Sequence, residues 1–205
     1  MTPPLGIRIA GVGGQGASRA AGVLAAAALQ SGLFPTVLEG RGLAVRGGAV
    51  NVLVRLAGKT GHAPRCAPGD VHVIVALEPM EAVRAAMWHR PDTALLVVGT
   101  PVLPAGVFHD RYPVPAAIAS CLQQRHSRSL FVVPADCRRP PNLFAVGALA
   151  CLGATGLDRM VIRMTVEREM GPDGLADFDA GWRDVAALGK QDAWRSIAEQ
   201  SAFGC

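Results

Sequence analysis

The residues best suited to chemistry form a glycine run near the start of the chain, Gly11-Val12-Gly13-Gly14-Gln15-Gly16. Gly11, Gly13 and Gly16 fit the G-x-G-x-x-G spacing of a dinucleotide-binding turn. Glycines allow a tight turn there, and their missing side chains let a phosphate or another backbone approach a helix N-terminus. Glu39 stands about 20 residues on, where a ribose-binding carboxylate would sit. The same glycines would equally serve close strand–helix packing with no ligand. A second cluster is Glu39-Gly40-Arg41-Gly42-Leu43-Ala44-Val45-Arg46-Gly47-Gly48. Arg41 and Arg46, set among glycines, would grip phosphate or carboxylate. The alternative is a solvated hairpin in which Glu39 and Arg41 form a weak surface pair. The candidate cofactor-binding residues are therefore Gly11, Gly13, Gly14, Gln15, Gly16, Glu39, Arg41, Arg46, Gly47 and Gly48.

No catalytic set accompanies them. The sequence has no G-x-S-x-G elbow and no G-x-x-x-x-G-K-[ST] phosphate loop. His62, His72, His89, His109 and His126 lack metal-ligand spacing, and none neighbours a plausible nucleophile. His72, within an apolar run, reads as structural. Cys66, Cys121, Cys137, Cys151 and Cys205 are scattered, with no C-x-x-C. They supply no zinc or iron–sulfur framework and read as buried, reduced thiols. No catalytic residue and no metal ligand is expected in this chain.

The elements that must position the glycine turn follow from hydrophobic patterning. Residues 5–10 are an apolar run that reads as a buried strand, and residues 17–29, rich in Ala and Leu, read as a helix with Ala20, Val23, Leu24 and Ala27 inward. Further strands are expected over 36–38, beside the first strand, then 49–56, 71–77, 94–98 and 129–133. Helices are expected over about 79–89, 116–124 and 143–152. The strands at 7–10 and 71–77, the most continuously apolar, should be central. The stretches 165–170 and 174–188 are amphipathic and more charged, and read as a helical appendage. The fold class is α/β: a three-layer α/β/α Rossmann-like domain with a mostly parallel sheet and a helical C-terminal tail. Residues 1–188 are expected to form the domain and 189–205 the tail.

Composition agrees. Of 205 residues half are hydrophobic, 18% charged and only 5% aromatic, so small aliphatic side chains must do most of the packing. The net charge of +4 favours an anionic ligand or partner but is too small to imply nucleic-acid binding. No signal-peptide pattern and no membrane-length apolar run is seen, so the expected location is cytoplasmic.

Taken together, the motifs resemble the gamma-domain subunits of 2-oxoacid:ferredoxin oxidoreductases, and within them the small (beta) subunits of indolepyruvate ferredoxin oxidoreductases. The resemblance rests on the glycine turn, on the segment from Glu39 to Gly48 with Val50 and Arg55, and on Leu77-Glu78-Pro79-Met80-Glu81-Ala82. It also rests on Tyr112-Pro113, Asn142 with Gly147, and Phe178-Asp179-Ala180-Gly181-Trp182. These pieces occur in order between about Ile7 and Val185. Val45 stands where the family usually has Gln before Arg-Gly-Gly.

The resemblance implies an accessory subunit. Thiamine diphosphate and iron–sulfur clusters would sit on a larger partner subunit, and ferredoxin would be reached through the complex. Coenzyme A would accept the acyl group, with a contact to this chain. A homodimer when isolated is compatible with the resemblance. Two alternatives stay open at the level of sequence: a stand-alone NAD-type oxidoreductase with Glu39 on a ribose, and an interaction module without a ligand.

Overall fold

The computed structural model describes residues 4–41, 47–58, 63, 65–67, 69–88, 90, 92–102, 112–126, 128–132, 134 and 138–188. Gly42, Leu43, Ala44, Val45 and Arg46 lie outside the described residues. So do His62, His89, His109, Cys137, Cys205 and the stretch 189–205.

The strands are β1 (Leu5–Val12), β2 (Phe34–Arg41), β3 (Ala49–Ala57), β4 (Val73–Ala76), β5 (Ala94–Val98) and β6 (Ser129–Val132). The helices are α1 (Ala17–Gln30), α2 (Pro79–Ala85), α3 (Pro115–Arg125), α4 (Asn142–Leu152) and α5 (Arg159–Ala187), with a 3-10 turn Ala86–Trp88 after α2. The strands form one sheet in the order β2-β3-β1-β4-β5-β6. The pairings β1–β4, β4–β5 and β5–β6 are parallel, whereas β3 runs antiparallel to both β1 and β2. β1 and β4 are central, as suits strands that are apolar throughout (β4) or apolar but for Arg8 (β1) where helices cover both faces.

Side chains alternate across the sheet. Ile7, Ile9, Val73 and Val75 meet α1, α4 and α5, while Ala10, Ile74 and Ala76 meet α2 and α3. The result is three layers. Ala20, Val23, Leu24 and Ala27 of α1 are fully buried, at the spacing expected of one helical face.

Four expectations need correction. First, β2 is not beside β1. The segments flanking residues 42–46 pair with each other as an antiparallel hairpin, Arg41 opposite Val50, and β3 takes the place next to β1. β2 is left at the sheet edge, with Phe34 and Val37 exposed. Second, Glu39, Gly40 and Arg41 are strand, not loop, each with a partner in β3. Third, α5 is no appendage. Ile162, Val166, Phe178 and Val185 are buried in the core shared with α1 and α4. Burying each of these stabilises the fold by about 1.5–3 kcal/mol. Fourth, Cys121 is exposed, although Cys66 and Cys151 are buried.

α5 is two helical arms joined at Gly171-Pro172, where the backbone leaves helical geometry. Arg163 and Asp179, which would be roughly 24 Å apart on a straight helix, make two 3.0 Å hydrogen bonds across the bend. Arg159 stacks on the Trp182 ring at 3.8 Å. His72 is structural: its Nδ1 accepts from the Gly6 N–H at 3.1 Å.

Candidate functional site

β1 and β4 end side by side, and α1 and α2 leave them toward opposite faces of the sheet. In an open α/β sheet this topological switch point is where ligands bind. The turn after β1 lies at this point. Gly16 caps α1 in a left-handed conformation, φ 80°, with no side chain bonded to the helix end. Gly13 and Gly14 are exposed at the apex.

The crevice itself is occupied by Gln15. Its Oε1 accepts from the Val12 N–H at 2.8 Å and its Nε2 donates to the Leu77 carbonyl at 2.8 Å. One amide side chain thus laces the ends of β1 and β4 together. Gly11 and Gly16 are small for packing reasons: a Cβ on Gly11 would touch Gln15 and Leu77, and one on Gly16 would stand 2.1 Å from Asn142 Nδ2. Asn142, opening α4, donates to the Gly16 carbonyl at 3.4 Å. The packing reading of the motif therefore holds for two of its glycines. Gly11 and Gly16 pack, and Gly13 and Gly14 face outward.

The hairpin of β2 and β3 reaches the same edge. The Gly13 N–H donates to the Gly48 carbonyl at 3.0 Å, so Gly47 and Gly48 lie against the turn. Arg41 pairs with Val50, which pairs with Gly11, so the Arg41 backbone is level with the start of the turn but two strands away. Glu39 is likewise two strands from β1, opposite Val52. The structure thus gathers Gly11, Gly13, Gly14, Gln15, Gly16, Gly47 and Gly48, and sets Glu39 apart. Arg46 falls outside the described residues.

A cleft of about 210 Å³ opens beside the turn, lined by Gly14, Gln15, Gly99, Thr100, Arg138 and Arg139 among others. Arg138 and Arg139 belong to the segment between β6 and α4, and sequence reasoning missed them. The signal was present: a pair of arginines directly before Pro140-Pro141 at the head of a helix. Arg139 Nη1 pairs with Asp177 Oδ1 at 3.1 Å, and its Nη2 donates to the Asp173 carbonyl at 3.2 Å. Among the described residues, no carboxylate, histidine or cysteine lines the cleft. Its charged groups among the described residues are the two guanidiniums, and those residues include no proton-transfer pair.

The far rim is held by Glu78, buried at 1% exposure. Its Oε2 caps α2 by accepting from the Glu81 N–H at 2.9 Å, and its Oε1 accepts from the Val102 N–H at 3.3 Å and from the Tyr112 hydroxyl. Burial and the neighbouring Glu78 carboxylate hold the Tyr112 phenol far above its ordinary pKa, so it stays protonated and donates. Glu81 is equally buried; burial pushes its carboxyl up despite the Arg84 guanidinium beside it. Among the described residues no group of three or more His, Cys, Asp or Glu side chains could hold a metal ion. No described helix is long and apolar enough to cross a membrane.

Comparison with known proteins gives this geometry a context. The model of a family described as pyruvate ferredoxin/flavodoxin oxidoreductase matches residues 6–179. The indolepyruvate oxidoreductase subunit IorB of Archaeoglobus fulgidus is 39% identical over 103 residues, which are 50% of this chain and 50% of that protein. The chain therefore matches about half the length of that curated relative. Among solved structures, pyruvate oxidoreductase subunit PORC from Thermotoga maritima superposes with a TM-score of 0.64 at 19% identity, over 89% of this chain and 95% of that one. The 2-oxoglutarate:ferredoxin oxidoreductase from Magnetococcus marinus, with 2-oxoglutarate, coenzyme A and succinyl-CoA bound, gives 0.62 at 20% identity over 93% of this chain and 32% of that one. At these identities the structural likeness is one of fold.

Proposed function

The chain belongs to the pyruvate ferredoxin/flavodoxin oxidoreductase family, and we propose that it is the accessory, gamma-type subunit of a 2-oxoacid:ferredoxin oxidoreductase, with an arylpyruvate such as indolepyruvate as the 2-oxoacid. In this reading a larger partner subunit carries thiamine diphosphate and the iron–sulfur clusters, ferredoxin takes the electrons, and the acyl group passes to coenzyme A. This chain's share is to hold and orient. Gly13, Gly14, Gly47 and Gly48 at the carboxyl edge, with Arg138 and Arg139, meet the coenzyme A phosphates or the partner, and Arg41 and Arg46 are proposed to join that contact.

The observation that supports the proposal is the cleft beside Gly14, whose described lining has glycine backbone and two guanidiniums and no acid–base pair. The Magnetococcus enzyme of the same fold holds coenzyme A, and a phosphate-bearing thiol suits such a receptor. A stand-alone NAD enzyme is disfavoured by two facts. Gln15 fills the crevice between β1 and β4, and Glu39 lies on an edge strand two positions from β1.

The test is 2-oxoacid-dependent reduction of ferredoxin or a viologen dye, with thiamine diphosphate and coenzyme A present. The chain alone should give no turnover, and co-expression with a large subunit that carries thiamine diphosphate and iron–sulfur clusters should give turnover that requires both. Clear turnover by the chain alone, or NADH binding at micromolar affinity, would overturn the proposal.

A further inference from the structure

Arg139 stands in a wall between two clefts. One is the cleft beside Gly14. The other, about 290 Å³, lies between α4 and the second arm of α5, lined by Phe144, Ala176, Asp177, Arg183 and Asp184. Pro134, Arg139 and Pro140 border both. The first volume falls below the ~300 Å³ at which ordinary ligand sites begin and the second only reaches it, whereas the two joined would lie well within that range. Of the three shared residues, the prolines are ring-locked and only Arg139 has a long side chain able to move. It is tethered by Asp177 at 3.1 Å and by the Asp173 carbonyl at 3.2 Å. The Arg139 side chain is 40% exposed against 18% for Asp177, so the guanidinium is the partner of that pair with room to leave.

We propose that Arg139 is a movable wall that exchanges Asp177 for the oxygens of a phosphate- or pyrophosphate-bearing ligand, opening the two clefts into one groove. The groove is polar along its length. The end at Gly14 presents Arg138 and Arg139 with no carboxylate among its described lining residues, and the other presents Asp177 and Asp184 beside Arg183. An anionic group is repelled from the α5 end and held at the glycine turn. The remainder of the ligand, an uncharged arm with amide or hydroxyl groups, then runs along α5 over Phe144 and Ala176. Coenzyme A has this form, and to that extent the inference rests on the ligand-holding role proposed above.

Calorimetric titration of the full chain with inorganic pyrophosphate and, separately, with coenzyme A tests it. Asp177→Asn releases Arg139 and should tighten pyrophosphate binding about threefold or more. Arg139→Ala should weaken it about tenfold, the scale of one charge-assisted contact. Ala176→Trp, at an exposed position in the second cleft, should leave pyrophosphate affinity unchanged and weaken coenzyme A about tenfold. Unchanged pyrophosphate affinity in Asp177→Asn would make Arg139 a fixed wall and sink the proposal; so would coenzyme A binding that ignores Ala176→Trp, or a parent chain that binds no pyrophosphate. Should Arg139→Ala fail to fold, Asp177→Asn still decides. If the titrations behave as expected but the assembled complex turns over no 2-oxoacid, the groove stands and the subunit assignment falls.

Discussion

Gly16 shows how narrowly the turn is specified. It is held at φ 80°, and a methyl group would stand 2.1 Å from Asn142 Nδ2. Gly16→Ala should therefore cost about 1–3 kcal/mol in urea denaturation, combining left-handed strain with a clash. Asn142→Ala in the same chain should recover only the clash. Gly14, at φ 98° with nothing within 4 Å of a would-be Cβ, should show the strain alone. Glu81 makes a separate prediction. Burial raises its carboxyl above the ordinary 4.5, and its Oε2 is buried with no hydrogen-bond partner. The folded state thus binds the Glu81 proton more tightly than the unfolded chain. Its contribution is full below about pH 4.5 and is lost as pH rises through the raised folded value. Glu81→Gln, which keeps an oxygen for Arg84, should show a smaller fall in Tm than the parent as pH rises above the ordinary 4.5 through the raised folded value.

At the scale of elements, the contact between α4 and α5 is the most exacting. A Cβ on Gly147 would lie 2.0 Å from the Phe178 carbonyl oxygen, and one on Gly181 would lie 2.0 Å from that of Phe144. The two helices touch backbone to backbone at reciprocal glycines. Gly147→Ala and Gly181→Ala should each destabilise by about 3 kcal/mol or more in denaturant titration, because a carbonyl on a packed helix cannot step aside as a side chain does. Gly147 and Gly181 were visible in the sequence only as parts of a resemblance, since their meaning depends on a partner 34 residues away in the chain. What was legible was local. The strand–turn–helix unit of β1 and α1, the buried face of α1 and the central place of β4 follow from periodicity and turn chemistry. The hairpin inserted beside β1 was not, because strand order is decided by long-range pairing, and Gly40 disguised the end of β2 as a loop. The charged surface of α5 hid its buried stripe. Arg138 and Arg139 reach the glycine turn only once β6 and α4 have packed, so no spacing between those residues could announce the cleft.

At the scale of the molecule, three helices of one layer close a single core against the sheet, and α5 is the one that seals it. A chain cut before Arg159 should keep its strands but uncover α1 and α4; it should bind a hydrophobic dye and aggregate, with helical content falling by more than α5 alone accounts for. Normal and truncated chains compared by far-ultraviolet circular dichroism and dye fluorescence would show this. If the truncated chain instead melts cooperatively and binds no dye, α5 is dispensable to the core. The bend at Gly171-Pro172 also bears on biosynthesis. A ribosome delivers α5 after every surface it covers, and its first arm, with Ile162 and Val166, emerges before Phe178 and Val185 on the second. During that interval the newly made chain displays an apolar flank that belongs to neither water nor a partner, and it is then that chaperones have reason to bind it.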